Sequence, residues 1–95
     1  MEPLDIYNYK KQGNVAIDMI AACILHERRY SMPIKSIVLN NQYMGILKEW
    51  IEKQYGQEVA SQDIFYFDTV EIRAERIHTG KILNIEYYRK EEMAN

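Results

Sequence analysis

The residues able to do chemistry in this chain are few and scattered. His26 and His78 stand about fifty positions apart, and neither has a histidine or cysteine at the short spacing of a zinc site. No metal site is expected, and the two read as a helix-end and a turn residue. Cys23 is the sole cysteine. It lies in the apolar run Met19–Leu25, where a thiol packs as a small hydrophobe. A reactive thiolate would need a cationic, partly open setting. Ser31, Ser36 and Ser61 have no nucleophile-elbow context. Gly13, Gly45, Gly56 and Gly80 belong to no phosphate-cradling loop with a following lysine and hydroxyl residue. Glu71, Glu75 and Glu86 fall on the solvent alternation of strands, not across a cleft as an acid–base pair would. On this reading the chain has no catalytic residue and no cofactor, and is not an enzyme.

One basic group stands out. Arg73, Arg76, His78 and Lys81 cluster around an expected turn, with Tyr87 close enough to add a stacking surface. Cations interleaved with aromatics suit single-stranded nucleic acid. Against this, the formal charge is −2 and the pI about 5.7, and phosphate attraction weakens with net acidity. Pairing with Glu71, Glu75 and Glu86 across neighbouring strands is the simpler account. Nucleic-acid binding is therefore the second reading, not the first.

The elements that must carry these residues follow from periodicity. At 95 residues the chain makes one domain. Residues 1–12 read as an arm or edge strand, 13–88 as a single α/β domain, and 89–95 as a charged tail. Asn14 is placed to cap a helix over Val15 to Arg29. Ile17, Ile20, Ala21 and Ile24 give it one apolar stripe, and Ala16, Met19, Cys23 and Leu25 widen the stripe almost all round. Ile34 to Leu39 reads as a strand covered on both faces, and Asn40-Asn41 ends it. In the next helix, Gln42 to Tyr55, positions 43, 46, 47, 50 and 51 are apolar, and Gly56 stands at its end. Gln57 to Asp63 reads as a polar loop. Strands are expected at Ile64 to Phe67, Val70 to Ala74 and Lys81 to Tyr88, the last two forming a hairpin through His78-Thr79-Gly80. The fold class is α+β, a two-layer arrangement. Two helices pack on a small mixed or antiparallel sheet of 3–5 strands, in the order helix, strand, helix, strand, hairpin.

The longest apolar run is about seven residues, against roughly 20 for a membrane span. The acidic start lacks a signal-peptide pattern, and the lone cysteine suits a reducing compartment. These features point to the cytoplasm.

Several stretches resemble the axial domain of tailed-phage major capsid proteins. They are Ala16-Ile17-Asp18-Met19-Ile20, Ile37-Val38-Leu39-Asn40-Asn41-Gln42-Tyr43, the helix Met44 to Lys53, Phe67-Asp68-Thr69-Val70-Glu71-Ile72 and Thr79-Gly80-Lys81-Ile82. The chain departs from that pattern at Asn41, where proline is common, and at Thr69, where glycine is common. The resemblance implies a phage or mobile-element structural protein with a phage or host protein partner. The broad apolar surface of the first helix points the same way, toward a homo-oligomer joined through Met19, Cys23, Ile24 and Leu25.

Overall fold

The computed structural model describes residues 8–30, 33–77 and 81–88. In chain order the elements are α1 (Val15–Arg29), β1 (Ile34–Leu39), α2 (Asn41–Tyr55), α3 (Gln57–Ala60), β2 (Ile64–Phe67), β3 (Val70–Ala74) and β4 (Leu83–Tyr87). The expected α+β class and the order of helices and strands are found. The expected turn at His78-Thr79-Gly80 lies outside the described residues, as do residues 1–7 and 89–95.

The strands form a mixed sheet in the order β2-β3-β1-β4. β1 pairs parallel with β3 and antiparallel with β4, and β2–β3 is an antiparallel pair. The tight hairpin is thus β2–β3, not the expected pairing of the last two strands, because β1 inserts between β3 and β4. Its turn residues Asp68 and Thr69 both have positive φ, 49° and 71°, as a two-residue turn matched to strand twist requires. Arg28 of α1 holds this turn, donating to the Asp68 carbonyl at 3.0 Å and meeting its carboxylate at 2.7 Å.

Register decides the two faces. Ile37 stands beside Ile72 and Ile85, and Phe65 beside Ile72, so these side chains share one face with Leu39, Phe67 and Val70. Both long helices cover that face: Ile17, Ile20 and Ile24 of α1, and Leu47 and Ile51 of α2, enter the same buried cluster. Each such side chain contributes about 1.5–3 kcal/mol by leaving water. The other face carries Ser36, Val38, Glu71, Arg73 and Tyr66 and, among the described residues, has no helix over it. The sequence left open whether the helices share a face; they do, and α1 hides most of its apolar stripe against α2 and β1.

Gly56, at φ 96°, ends α2 and starts α3 directly. The stretch expected as a polar loop from Gln57 therefore opens with one short helical turn, which buries Ala60. Gly45 has no atom within 4 Å of where a Cβ would stand. It is slack in α2, not a site of close backbone approach.

Candidate functional site

The carboxyl ends of β1 and β3 lie side by side, joined by a bond from the Glu75 amide to the Leu39 carbonyl at 3.1 Å. In open α/β sheets, ligands bind outside this edge of parallel strands. Here the chain leaves β1 at Asn40 and turns at once into α2. Asn40 Oδ1 accepts the Tyr43 amide at 2.8 Å, and its Nδ2 donates to the Lys81 carbonyl at 3.3 Å. Its own amide donates to the Ile82 carbonyl at 2.9 Å. One residue thus ties β1, α2 and the approach to β4 together. The first-turn amides of Asn41 and Gln42 receive no side-chain cap, both residues are exposed, and the first turn holds no acidic residue. The positive end of α2 faces outward beside the carboxyl edge.

The N-terminus of α1 lies close by and differs. Asn14 Oδ1 accepts from the amides of Ala16 and Ile17 at 3.0 and 3.1 Å, and its Nδ2 donates to the Ile46 carbonyl of α2 at 2.8 Å. Asp18, in the first turn, folds back over the preceding loop. Its carboxylate accepts from the Tyr9 hydroxyl at 2.6 Å, the Gln12 amide at 2.8 Å and the Gly13 amide at 3.2 Å. Gly13, at φ 80°, supplies the turn that aims these amides. Burial works against ionisation of Asp18, but those three donors outweigh it and hold the carboxyl below its usual range. Burial, and then Asp18, push the Tyr9 hydroxyl well above its ordinary value. The anion position of this helix is filled by the chain's own carboxylate.

On the sheet face away from α1 and α2, Arg73 contacts Glu71 at 2.8 Å, Glu75 at 3.0 Å and Glu86 at 2.7 Å. The Ser36 hydroxyl donates to the same Glu86 carboxylate. Ser36 and then Arg73 hold Glu86 below the usual carboxylate range.

The residues singled out in the sequence lie on α1, β3 and β4 and in the segment between those two strands. Of the nucleic-acid candidates, Arg73 is consumed by three carboxylates. Arg76 and Lys81 are exposed, Tyr87 lies on the edge strand β4, and His78 is outside the described residues. Of the self-association candidates, Ile24 is 1% exposed and belongs to the core. Met19, Cys23 and Leu25 are half-buried and pack against the core's margin. Burial, with Glu27, pushes the Cys23 thiol above its ordinary pKa, which keeps it protonated. Glu27 was not anticipated: it is a buried carboxylate on α1. Burial, and then Glu27, raise the Tyr87 hydroxyl. At the carboxyl edge, Asn40-Asn41 reads in the sequence as a strand end that can cap the next helix, and Gln42 as the first residue of that helix. The signal that marks them is a continuous apolar run, Ile37-Val38-Leu39, stopping at an asparagine with a helix immediately after it. Among the described residues no cluster of three or more histidine, cysteine, aspartate or glutamate side chains has metal-holding geometry. No helix among them is long and apolar enough to cross a membrane.

Residues 12–86 match the family described as thiamine pyrophosphate enzyme, C-terminal TPP binding domain. The chain belongs to that family. No curated protein and no solved structure matches the chain. The match runs from just before the α1 cap to the penultimate residue of β4, so this TPP binding domain includes both helix N-termini described above. It overturns the capsid resemblance. The motifs behind that resemblance amount to a capped helix, a strand ending in asparagine, a second helix and a turn, an arrangement that any strand-to-helix crossover shares. It also overturns the expectation of a non-catalytic phage structural protein and that of a chain unrelated to enzymes, and it does not favour the nucleic-acid reading. A chain can belong to an enzyme family without a reactive cluster when a cofactor carries the hard chemistry.

Proposed function

We propose that this chain serves as a TPP binding domain of a thiamine pyrophosphate enzyme, and that the N-terminus of α2 receives the diphosphate of the cofactor. The family match is the observation that carries this reading. The donor chemistry fits: Asn41 and Gln42 offer two uncapped amides, and no carboxylate stands in that turn to repel an anion. Asn40 orients the turn through its bonds to Tyr43 and Lys81. The α1 N-terminus is a poorer seat for the diphosphate, because Asp18 already occupies its loop amides. Thiamine pyrophosphate, when bound, supplies carbanion-stabilising chemistry. The chain's part is to bind and orient the diphosphate end. In this reading the domain works within an oligomer.

Calorimetric titration tests the proposal. Thiamine pyrophosphate with magnesium should bind the full chain, and thiamine without the diphosphate should not. Asn41→Pro removes one open amide at the first helical position, where proline is tolerated. It should weaken thiamine pyrophosphate binding about tenfold, the loss of one charge-assisted hydrogen bond, with an unchanged circular dichroism spectrum. Equal binding of thiamine, or no effect of Asn41→Pro, would reject this seat.

A further inference from the structure

The two edges of the sheet are finished differently. At the β2 edge, the helix-side residues Phe65 and Phe67 are buried. At the β4 edge, Leu83 and Ile85 on the same face are only half-covered, and Tyr87 is 41% exposed. On α1, Met19 and Cys23 are half-buried as well, and Cys23 and Glu27 lie near enough to Tyr87 to act on its hydroxyl. β4 contains no proline and no lysine to blunt it.

Its backbone is also oriented for pairing. The Ile82 carbonyl accepts from Asn40, and the Tyr88 amide donates to Pro33, so both face inward toward β1. Residues of an antiparallel strand alternate in the side to which both backbone groups point. Leu83, Ile85 and Tyr87 therefore present their amides and carbonyls to the side on which, among the described residues, no strand pairs with β4.

We propose that β4 pairs antiparallel with β4 of a second copy of this chain about a two-fold axis at Ile85, joining two four-stranded sheets into one. An isologous contact must be self-complementary, and this register is. On the helix side Ile85 meets its own copy, and Leu83 meets the second copy's Tyr87, apolar against apolar. On the other face Asn84 stands opposite the second copy's Glu86, an amide donor against a carboxylate. The central pair then exchanges both backbone bonds through the outward-facing groups of Ile85. The two α1 helices come side by side over the joined sheet, and Met19 and Cys23, two of the residues the sequence marked for association, are drawn toward the seam. The inference rests on sheet order and register, and stands or falls independently of the cofactor reading.

Sedimentation equilibrium on the full chain tests it, with hydrogen exchange as a second readout. A dimer should form within about 1–100 µM, and the amides of Leu83, Ile85 and Tyr87 should exchange more slowly as concentration rises. The amides of Asn84 and Glu86, which face β1, should not respond. Asn84 is exposed, so Asn84→Glu should fold normally. It places like charges opposite each other twice and should raise the dimer dissociation constant about tenfold. Asn84→Lys places opposite charges there and should lower it. A monomer throughout that range, a dimer indifferent to both substitutions, or protection at Asn84 and Glu86 instead of their neighbours would overturn the proposal.

Discussion

The two long helices begin a few residues' reach apart, both capped by asparagine, yet their N-termini are in different states. At α1, Asn14 caps two amides and fastens to α2, while Asp18 gathers Tyr9, Gln12 and Gly13. At α2, Asn40 caps one amide and spends its other bonds on the segment before β4, leaving Asn41 and Gln42 uncapped. The first start is closed by the chain's own carboxylate, and the second has two first-turn amides without a side-chain cap. A capping residue alone does not reveal which kind of start it serves; what distinguishes them is whether a carboxylate follows within the first turn.

The largest expected effect that tests this contrast is at Asn14. Asn14→Ala removes two caps and the bond to Ile46, and should destabilise the domain by about 2 kcal/mol in urea unfolding. Asn40→Ala removes one cap and a longer, exposed bond to the Lys81 carbonyl, and should cost about 1 kcal/mol. Equal costs would mean the two starts are energetically alike.

Next comes acid sensitivity. Asp18 is held below its unfolded pKa, so its contribution is fully present above about pH 4 and is lost as pH falls through its folded value. Asp18→Asn should flatten the loss of thermal stability below about pH 4. Glu86 has the same sign and leaves a residual slope. An unchanged acid limb would show that the loop amides do not hold the Asp18 carboxylate in solution.

The smallest effect is at Gly45, just past the first turn of α2. Gly45→Ala meets open space and should stabilise the domain by about 0.5–1 kcal/mol. Thiamine pyrophosphate binding should be unchanged. Weaker binding would shift the explanation from the open amides to looseness at the start of the helix.

Much of the fold was legible because it is local. The boundaries of α1 and β1 follow from Asn14, the apolar stripe of α1 and the continuously apolar end of β1, Ile37-Val38-Leu39. α2 begins one residue before the expected Gln42, because Asn40 alone is its cap and Asn41 its first residue. Strand pairing was not legible in the same way. Val70–Ala74 and Leu83–Tyr87 look like hairpin partners by proximity in sequence, and β1 separates them. The functional site was less legible still. The residues with reactive side chains drew attention, but His26 is an exposed helix-end residue, Cys23 is kept protonated, and Arg73 is neutralised by its neighbours. The site proposed here consists of backbone amides, which every sequence contains.

By itself, then, the amino-acid order settled where the two long helices and the strands lie to within about two residues, and missed only the short turn of α3, because capping and periodicity act over a few residues. Only the tertiary structure decided that both helices share a face, that β4 forms an edge, and that Asp18 closes one helix start while the other stays open. Those outcomes depend on which distant groups come within hydrogen-bonding reach, and no local spacing encodes that distance.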